Sequence, residues 1–163
     1  MNNTQTVKVV SFHCKKVIRS LDCVRRICRT ADVVALQETW LLPHDISFLG
    51  SLDDDFAYTS VSAVDTPAGL LRGRLYGGVA LLWRKNLLTS VSVIARSSVR
   101  LAAIKIVVKE KSFLIVSVST NSSENIPEFT ECLSEVSTII ESTGVESVYI
   151  LGEFNAHPGV CLL

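Results

Sequence analysis

Short runs of β-branched and other apolar residues, separated by glycine, proline and polar clusters, form the main pattern along the chain. Runs of this length and composition are typical of strands that are buried on one or both faces. After residue 84 the runs follow one another at close spacing, which predicts an antiparallel meander rather than alternating βαβ units. The predicted strands cover residues 7–13, 32–38, 56–64, 75–84, 90–95, 100–108, 112–119 and 146–153.

Two stretches have the spacing of an amphipathic helix. The first lies between the first two predicted strands, runs for about four turns, and places basic residues largely opposite its apolar ones. The second begins at Pro127, and Gly144 is positioned to end it. A loop with a short helix is predicted at residues 41–50. The apolar positions are Val17, Ile18, Leu21, Val24, Ile27 and Cys28 in the first helix and Phe129, Leu133, Val136, Ile139 and Ile140 in the second.

This order of elements predicts one α/β domain, with two sheets packed face to face and helices on the outside. The chain has 163 residues, which is the size of a single domain, and 48% of them are apolar. No uncharged apolar run approaches the roughly 18 to 20 residues of a membrane helix. The first residues lack the basic and then apolar pattern of a signal peptide, so we expect an intracellular protein.

The cysteines favour neither a disulfide framework nor a zinc site. There are five, an odd number, and no two of them form a C-x-x-C pair. We interpret them as reduced thiols that pack as small hydrophobic side chains.

Charge is unevenly distributed along the chain, although the formal net charge is zero. Basic residues dominate the first thirty positions, and no Lys or Arg follows Lys111, whereas glutamates continue. This asymmetry fits a surface that contacts a polyanion, but on charge alone it is more typical of two solvated helix faces of opposite sign. The candidate nucleic-acid contacts are Lys15, Lys16, Arg19, Arg26 and Arg29, with Arg72, Arg74, Arg84 and Arg96 as possible additions.

Polar residues that can carry chemistry stand at the ends of three predicted strands. His13 ends the first strand, Glu38 ends the second, and Glu153 ends the last, with Asn155 shortly beyond it. Carboxylate and amide oxygens suit Mg²⁺ or Mn²⁺, and such a metal can polarise a phosphoryl group while an acid orients the attacking water. Taken singly, each of these residues is more typical of a strand-end cap or a turn, and only their combination indicates a site.

Four segments resemble one known family in order and spacing: "VVALQETWL", "YGGVALLWRKNL", "NSSENIPEF" and "YILGEFNAHPG". They are similar to the apurinic-endonuclease-like domain of non-LTR retrotransposons, in the endonuclease/exonuclease/phosphatase superfamily. The resemblance extends from Val7 to Pro158. It implies a DNase I-like, four-layered α/β sandwich with two mostly antiparallel sheets. It also implies a nuclear, Mg²⁺-dependent (or Mn²⁺-dependent) phosphodiesterase that nicks DNA to prime reverse transcription.

The resemblance assigns roles to individual residues. Glu38 of "QETW" falls on the family's metal-binding glutamate. Asn155 falls on the asparagine that contacts the scissile phosphate in a Gly-Asp-Phe-Asn motif. Glu153 takes the place of that motif's aspartate, which orients the nucleophilic water. His13 lies where the family has an asparagine after its first strand.

The chain also departs from the family pattern. Glutamate for aspartate at position 153 and histidine for asparagine at position 13 alter the site. The segment after "FLIVSV" lacks the family's tyrosine, and a Ser-Asp-His motif that follows in the family has no counterpart here. The resemblance therefore implies a partial sandwich over residues 1–163, without the family's C-terminal portion, and a degenerate metal-dependent DNA endonuclease.

Two other interpretations remain open at this point. One is a non-catalytic nucleic-acid-binding protein that contacts phosphates through the basic residues. The other is a poorly folded product of a decayed element that self-associates through uncovered sheet edges.

Overall fold

The chain forms strands and helices in an order close to the predicted one. The structure, a computed structural model, describes residues 5–64, 76–120 and 126–154, except for the side chain of Ile126. The described elements are β1 (Val9–His13), α1 (Leu21–Thr30), β2 (Val33–Gln37), a 3₁₀ helix (Pro43–Ser51), β3 (Phe56–Val61), β4 (Val79–Arg84), β5 (Val91–Val93), β6 (Leu101–Val108), β7 (Lys111–Ser119), α2 (Ile126–Thr143) and β8 (Ser147–Glu153).

The strands assemble into two four-stranded sheets, with the orders β1-β2-β4-β3 and β5-β6-β7-β8. Neighbouring strands are mostly antiparallel, and β5, β6 and β7 form the predicted meander. The pairs β1–β2 and β7–β8 are parallel. Each parallel pair needs a crossover between its strands, which α1 provides in the first sheet and α2 in the second.

Three apolar clusters show how the layers stack. Between the sheets, residues such as Leu81 of the first sheet pack with Ile104 and Ile115 of the second. On the outer face of the first sheet, α1 and the 3₁₀ helix contribute a second cluster, and α2 covers the outer face of the second sheet. The predicted four-layered sandwich is therefore confirmed. None of these described helices has the length and apolar composition needed to span a membrane.

The first helix is shorter than predicted, because it begins at Leu21 rather than near Val17. Lys15 and Lys16 have φ angles of 41° and 79°, which a right-handed helix cannot accommodate. The backbone N–H groups of Lys16 and Val17 instead donate to the carbonyls that follow β2, at Glu38 and Thr39. Contacts with the second strand therefore override the helical spacing of this segment.

Three cysteines lie inside the apolar clusters as free thiols, namely Cys14, Cys28 and Cys132. Burial raises the pKa of Cys14 to about 12 and the pKa values of Cys28 and Cys132 to about 11. These thiols stay protonated at neutral pH and pack as small apolar groups. Cys23 is also free and half-buried, and Cys161 lies outside the described residues.

Candidate active site

The polar strand ends of both sheets converge at one end of the sandwich. Because β1 and β2 are parallel, His13 and the residue after β2, Glu38, lie at the same edge of the first sheet. In the second sheet, parallel pairing aligns Ser119 with Glu153. The two edges meet across the sandwich, since His13 contacts Glu153 and Ser119 contacts Glu38.

Glu38 is a buried carboxylate with a hydrogen-bond donor on each oxygen. It is 8% exposed. The Ser119 hydroxyl donates to Oε1 at 3.1 Å, and the indole Nε1 of Trp40 donates to Oε2 at 2.7 Å. A carboxylate oxygen can accept from more than one partner. The two donors therefore fix the orientation of the Glu38 carboxylate.

The turn that carries Glu38 is held by backbone bonds from both sides. The N–H of Lys16 donates to the Glu38 carbonyl at 2.8 Å, while the N–H groups of Thr39 and Trp40 donate to the carbonyls of Gly78 and Gly77. A Cβ at Gly78 would lie 2.6 Å from the Thr39 hydroxyl oxygen, and its φ is +86°. The glycine pair before β4 is thus required for the turn that carries Glu38 to lie close to the start of β4.

His13 and Glu153 form a contact that joins the ends of the two sheets. His13 Nδ1 lies 2.6 Å from Glu153 Oε2, and the two side chains are 33% and 35% exposed. The Thr120 N–H donates to the Glu153 carbonyl at 3.0 Å, which holds the end of β8 against the end of β7. The His13 ring therefore contacts one oxygen of the Glu153 carboxylate, Oε2.

The donor set suits a magnesium site with a single protein carboxylate. Within residues 5–64, 76–120 and 126–154, no group of three or more His, Cys, Asp or Glu side chains is arranged to hold a metal ion. Mg²⁺ commonly binds through one or two carboxylates and completes its shell with waters and substrate phosphates. Glu38 fits this pattern as an oriented, hard oxygen ligand.

The candidate nucleic-acid residues have different positions in the structure. Lys15 and Arg19 are exposed and Lys16 is half-buried, all in the segment that follows His13. Arg84 instead holds the end of α1, because its guanidinium donates to the Cys28 and Ala31 carbonyls and pairs with Asp32. Arg84 is therefore a structural residue, contrary to its inclusion among the candidate contacts. Arg72, Arg74 and Asn155 lie outside the described residues.

The sequence analysis did not identify two residues that contact Glu38. Ser119 directly follows "FLIVSV", where the resemblance leads one to expect a tyrosine-containing segment. Trp40 follows Glu38 by two residues, and its indole donates a hydrogen bond to the carboxylate. Trp83, in contrast, is buried between the sheets. The only sequence signal for Ser119 was its place at a strand end. The only sequence signal for Trp40 was its place two residues after Glu38.

The chain belongs to the endonuclease/exonuclease/phosphatase family, whose model matches residues 16–158. Solved structures with the same fold include the endonuclease domain of TRAS1, a telomere-specific non-LTR retrotransposon (13% identity, TM-score 0.66, 93% of this chain and 61% of that one). The human Nocturnin catalytic domain matches with 16% identity, a TM-score of 0.63, and coverage of 94% and 65%. A humanized D. rerio TDP2 matches with 17% identity, a TM-score of 0.62, and coverage of 93% and 63%.

These similarities establish the family and the fold. The chain spans 61% to 65% of the length of the three solved structures. No curated protein matches the sequence at a significant level.

Proposed function

We propose that this chain is a degenerate, metal-dependent phosphodiesterase domain that acts on DNA and derives from a non-LTR retrotransposon endonuclease. The observation that carries the proposal is the buried Glu38 carboxylate, oriented by two donors, beside the His13–Glu153 pair at one end of the sandwich. Membership of the family and the likeness to the TRAS1 endonuclease domain support it.

In this proposal each strand-end residue has a distinct task. Glu38 holds a Mg²⁺ or Mn²⁺ ion, which, when bound, stabilises negative charge on the phosphoryl and leaving oxygens. Glu153 accepts a proton from the attacking water through the oxygen that His13 leaves open. The His13 imidazole holds one oxygen of that carboxylate toward the first sheet. By resemblance, Asn155 contacts the scissile phosphate.

The same contacts explain why we expect slow turnover. The longer side chain of Glu153, compared with the family's aspartate, is bonded to His13 across the sheets. A displacement of about one ångström in a reacting group can lower a rate by about 100-fold. Proton transfer is therefore the step that we expect to be impaired.

The first prediction is slow, Mg²⁺-dependent nicking of supercoiled plasmid by the wild-type protein. Glu38→Ala should lower the nicking rate by more than about 100-fold, because the loss of a metal ligand has a larger effect than the loss of an outer-shell partner of that ligand. EDTA should stop the reaction. Glu110→Ala, at an exposed glutamate in the β6–β7 turn, is the matched control and should nick at the wild-type rate. A folded wild-type protein that does not nick, or a Glu38→Ala variant that nicks normally, would contradict the proposal.

DNA binding through basic side chains is a second candidate function, alone or with catalysis. Lys15, Lys16 and Arg19 directly follow His13, and the Lys16 backbone is bonded to the Glu38 carbonyl. These cations therefore lie beside the candidate site, where they can contact the backbone of a bound strand.

The second prediction concerns the salt dependence of this binding. Replacing Lys15, Lys16 and Arg19 with alanine should weaken duplex DNA binding and reduce the slope of log K against log [salt] by about 2 to 3, since each phosphate contact contributes about 0.9. Fluorescence anisotropy at several salt concentrations measures both effects. A control variant changes three exposed lysines at the opposite end of the sandwich, Lys8, Lys85 and Lys111. Equal losses in the two variants would show that binding does not depend on the segment after His13.

A further inference from the structure

The orientation of Glu38 depends on side chains from two different sheets. Trp40 belongs to the turn after β2 in the first sheet, and Ser119 is the last residue of β7 in the second. A donor on each oxygen restricts the rotamer of a buried carboxylate, and loss of either donor removes part of that restraint. The two donors therefore set the direction from which a cation can approach Glu38.

Trp40 is itself held in an unusual conformation. Its φ angle is 53°, in the left-handed region that bulky residues rarely occupy, and Glu38 has a φ of 57°. The backbone bond from Trp40 to the Gly77 carbonyl maintains this conformation, and the indole ring separately makes an edge-to-face contact with the exposed Tyr76, 4.7 Å between ring centroids. Strained residues of this kind persist where the surroundings over-determine them, and they cluster at functional sites.

We propose that Trp40 is a positioning residue for the metal ligand, and that Ser119 assists it from the second sheet. Their hydrogen bonds hold the Glu38 carboxylate in the orientation that binds a divalent cation. This inference rests on the proposed function, because it takes Glu38 to be the ligand. It assigns the Trp40 indole N–H, rather than the ring surface, as the functional group.

If Trp40 had a purely structural role, a different effect of its substitution on metal binding would be expected. If the indole only anchors the loop by packing on Tyr76, then the ring matters and the N–H does not. Trp40→Phe keeps an aromatic ring and removes the donor, whereas Tyr76→Ala removes the ring contact and keeps the donor. Tyr76 is 55% exposed, so this change creates no buried cavity.

The test is the affinity of the purified chain for Mn²⁺, measured from the free-ion signal in electron paramagnetic resonance. Trp40→Phe and Ser119→Ala should each weaken Mn²⁺ binding by about 10- to 100-fold, the usual effect of losing an outer-shell partner of a ligand. Tyr76→Ala should bind Mn²⁺ as the wild type does. Ser112→Ala is the matched serine control, since Ser112 lies at the other end of β7 from Ser119 and its hydroxyl accepts the Glu146 N–H.

A second readout separates positioning from general loss of structure. In nicking assays, Trp40→Phe should raise the Mg²⁺ concentration needed for half-maximal rate and leave the rate at saturating Mg²⁺ close to that of the wild type. Thermal unfolding should show that each variant is folded at the assay temperature, and any variant that is not folded is replaced by Trp40→Leu, which lacks a donor, or Ser119→Cys, whose thiol donates only weakly.

The possible outcomes separate the positioning role of Trp40 and Ser119 from the metal site at Glu38. If Trp40→Phe and Ser119→Ala bind Mn²⁺ normally while Glu38→Ala does not, then the positioning role is wrong and the metal ligand stands. If Tyr76→Ala weakens binding as much as Trp40→Phe, then ring packing rather than the N–H is responsible. If Glu38→Ala binds Mn²⁺ as well as the wild type, or the wild type binds none, then both the positioning role and the proposed metal site are wrong.

Discussion

Gly152→Ala is expected to destabilise the fold by about 4 kcal/mol or more, which places it among the most damaging single substitutions. Gly152 pairs with Val118 in the parallel β7–β8 register and has a φ of +148°. A Cβ at this position would lie 1.8 Å from the Val118 carbonyl oxygen and 2.8 Å from its carbonyl carbon. Because both atoms belong to the backbone, the end of β8 would have to separate from β7.

Urea unfolding followed by circular dichroism measures the effect, and two other glycines provide controls. Gly144, at the end of α2, has a φ of +56° and open space around it, so alanine should cost only about 1 kcal/mol. At Gly50 the nearest atom is 3.1 Å away on the Tyr58 ring, which belongs to a side chain that can move. A Gly152→Ala protein as stable as the Gly144→Ala protein would show that β8 does not approach β7 this closely.

The same substitution should affect the candidate site. Glu153 follows Gly152 directly, and its carbonyl accepts the Thr120 N–H that joins the ends of β7 and β8. Ser119, which pairs with Glu153, contacts Glu38, so separation of the strand ends would move Glu153 away from Glu38 and the rest of the site. Any Gly152→Ala protein that still folds should therefore show lower nicking activity than Gly144→Ala.

The double variant His13→Asn/Glu153→Asp is expected to nick supercoiled plasmid about 100-fold faster than the wild type. Asparagine removes the imidazole that now bonds Glu153 Oε2 at 2.6 Å, and aspartate shortens the side chain by one methylene. Both changes restore the residues that the family resemblance leads one to expect. The carboxylate is then freed from the opposite sheet and can orient the attacking water.

The single variants show whether the two positions act together. Because His13 and Glu153 contact each other, their effects should not be additive, and Glu153→Asp alone should gain less than the double variant. Adding Glu38→Ala to the double variant should remove the gained activity, which would show that the gain arises at this site and not from a contaminating nuclease. A double variant that is no faster than the wild type would mean that the His13–Glu153 pair does not limit turnover.

The elements of the fold were largely predictable from local patterns, with instructive exceptions. The meander of β5 to β7 and the span of α2 match the predictions, since strong periodicity bounded by turn residues is a local signal. The start of α1 was not predictable, because Lys15 and Lys16 adopt positive φ angles to satisfy carbonyls after β2. The strand predicted from Leu75 begins at Val79, because Gly77 and Gly78 are required in the turn beside Trp40.

Several residues of the site were predictable from the sequence, but the contacts between residues of the site were not. Strand-end positions singled out His13, Glu38 and Glu153, and the family resemblance gave each of them an expected role. Ser119 and Trp40 gave no comparable signal, because a serine at the end of a strand and a tryptophan after one are common in any sandwich. Their importance follows from the oxygen atoms that they contact.

The sequence by itself determined the class of the protein, its order of strands and helices, and the residue types gathered at the strand ends. These follow from the period of apolar positions and from motifs that are local in the chain. Only the tertiary structure decided that His13 bonds Glu153 and that Ser119 bonds Glu38. Ser119 and Glu38 are 81 positions apart, and His13 and Glu153 belong to different sheets. Such contacts depend on how two sheets pack, and the packing is set by the apolar surfaces between the sheets rather than by the polar residues that the packing brings together.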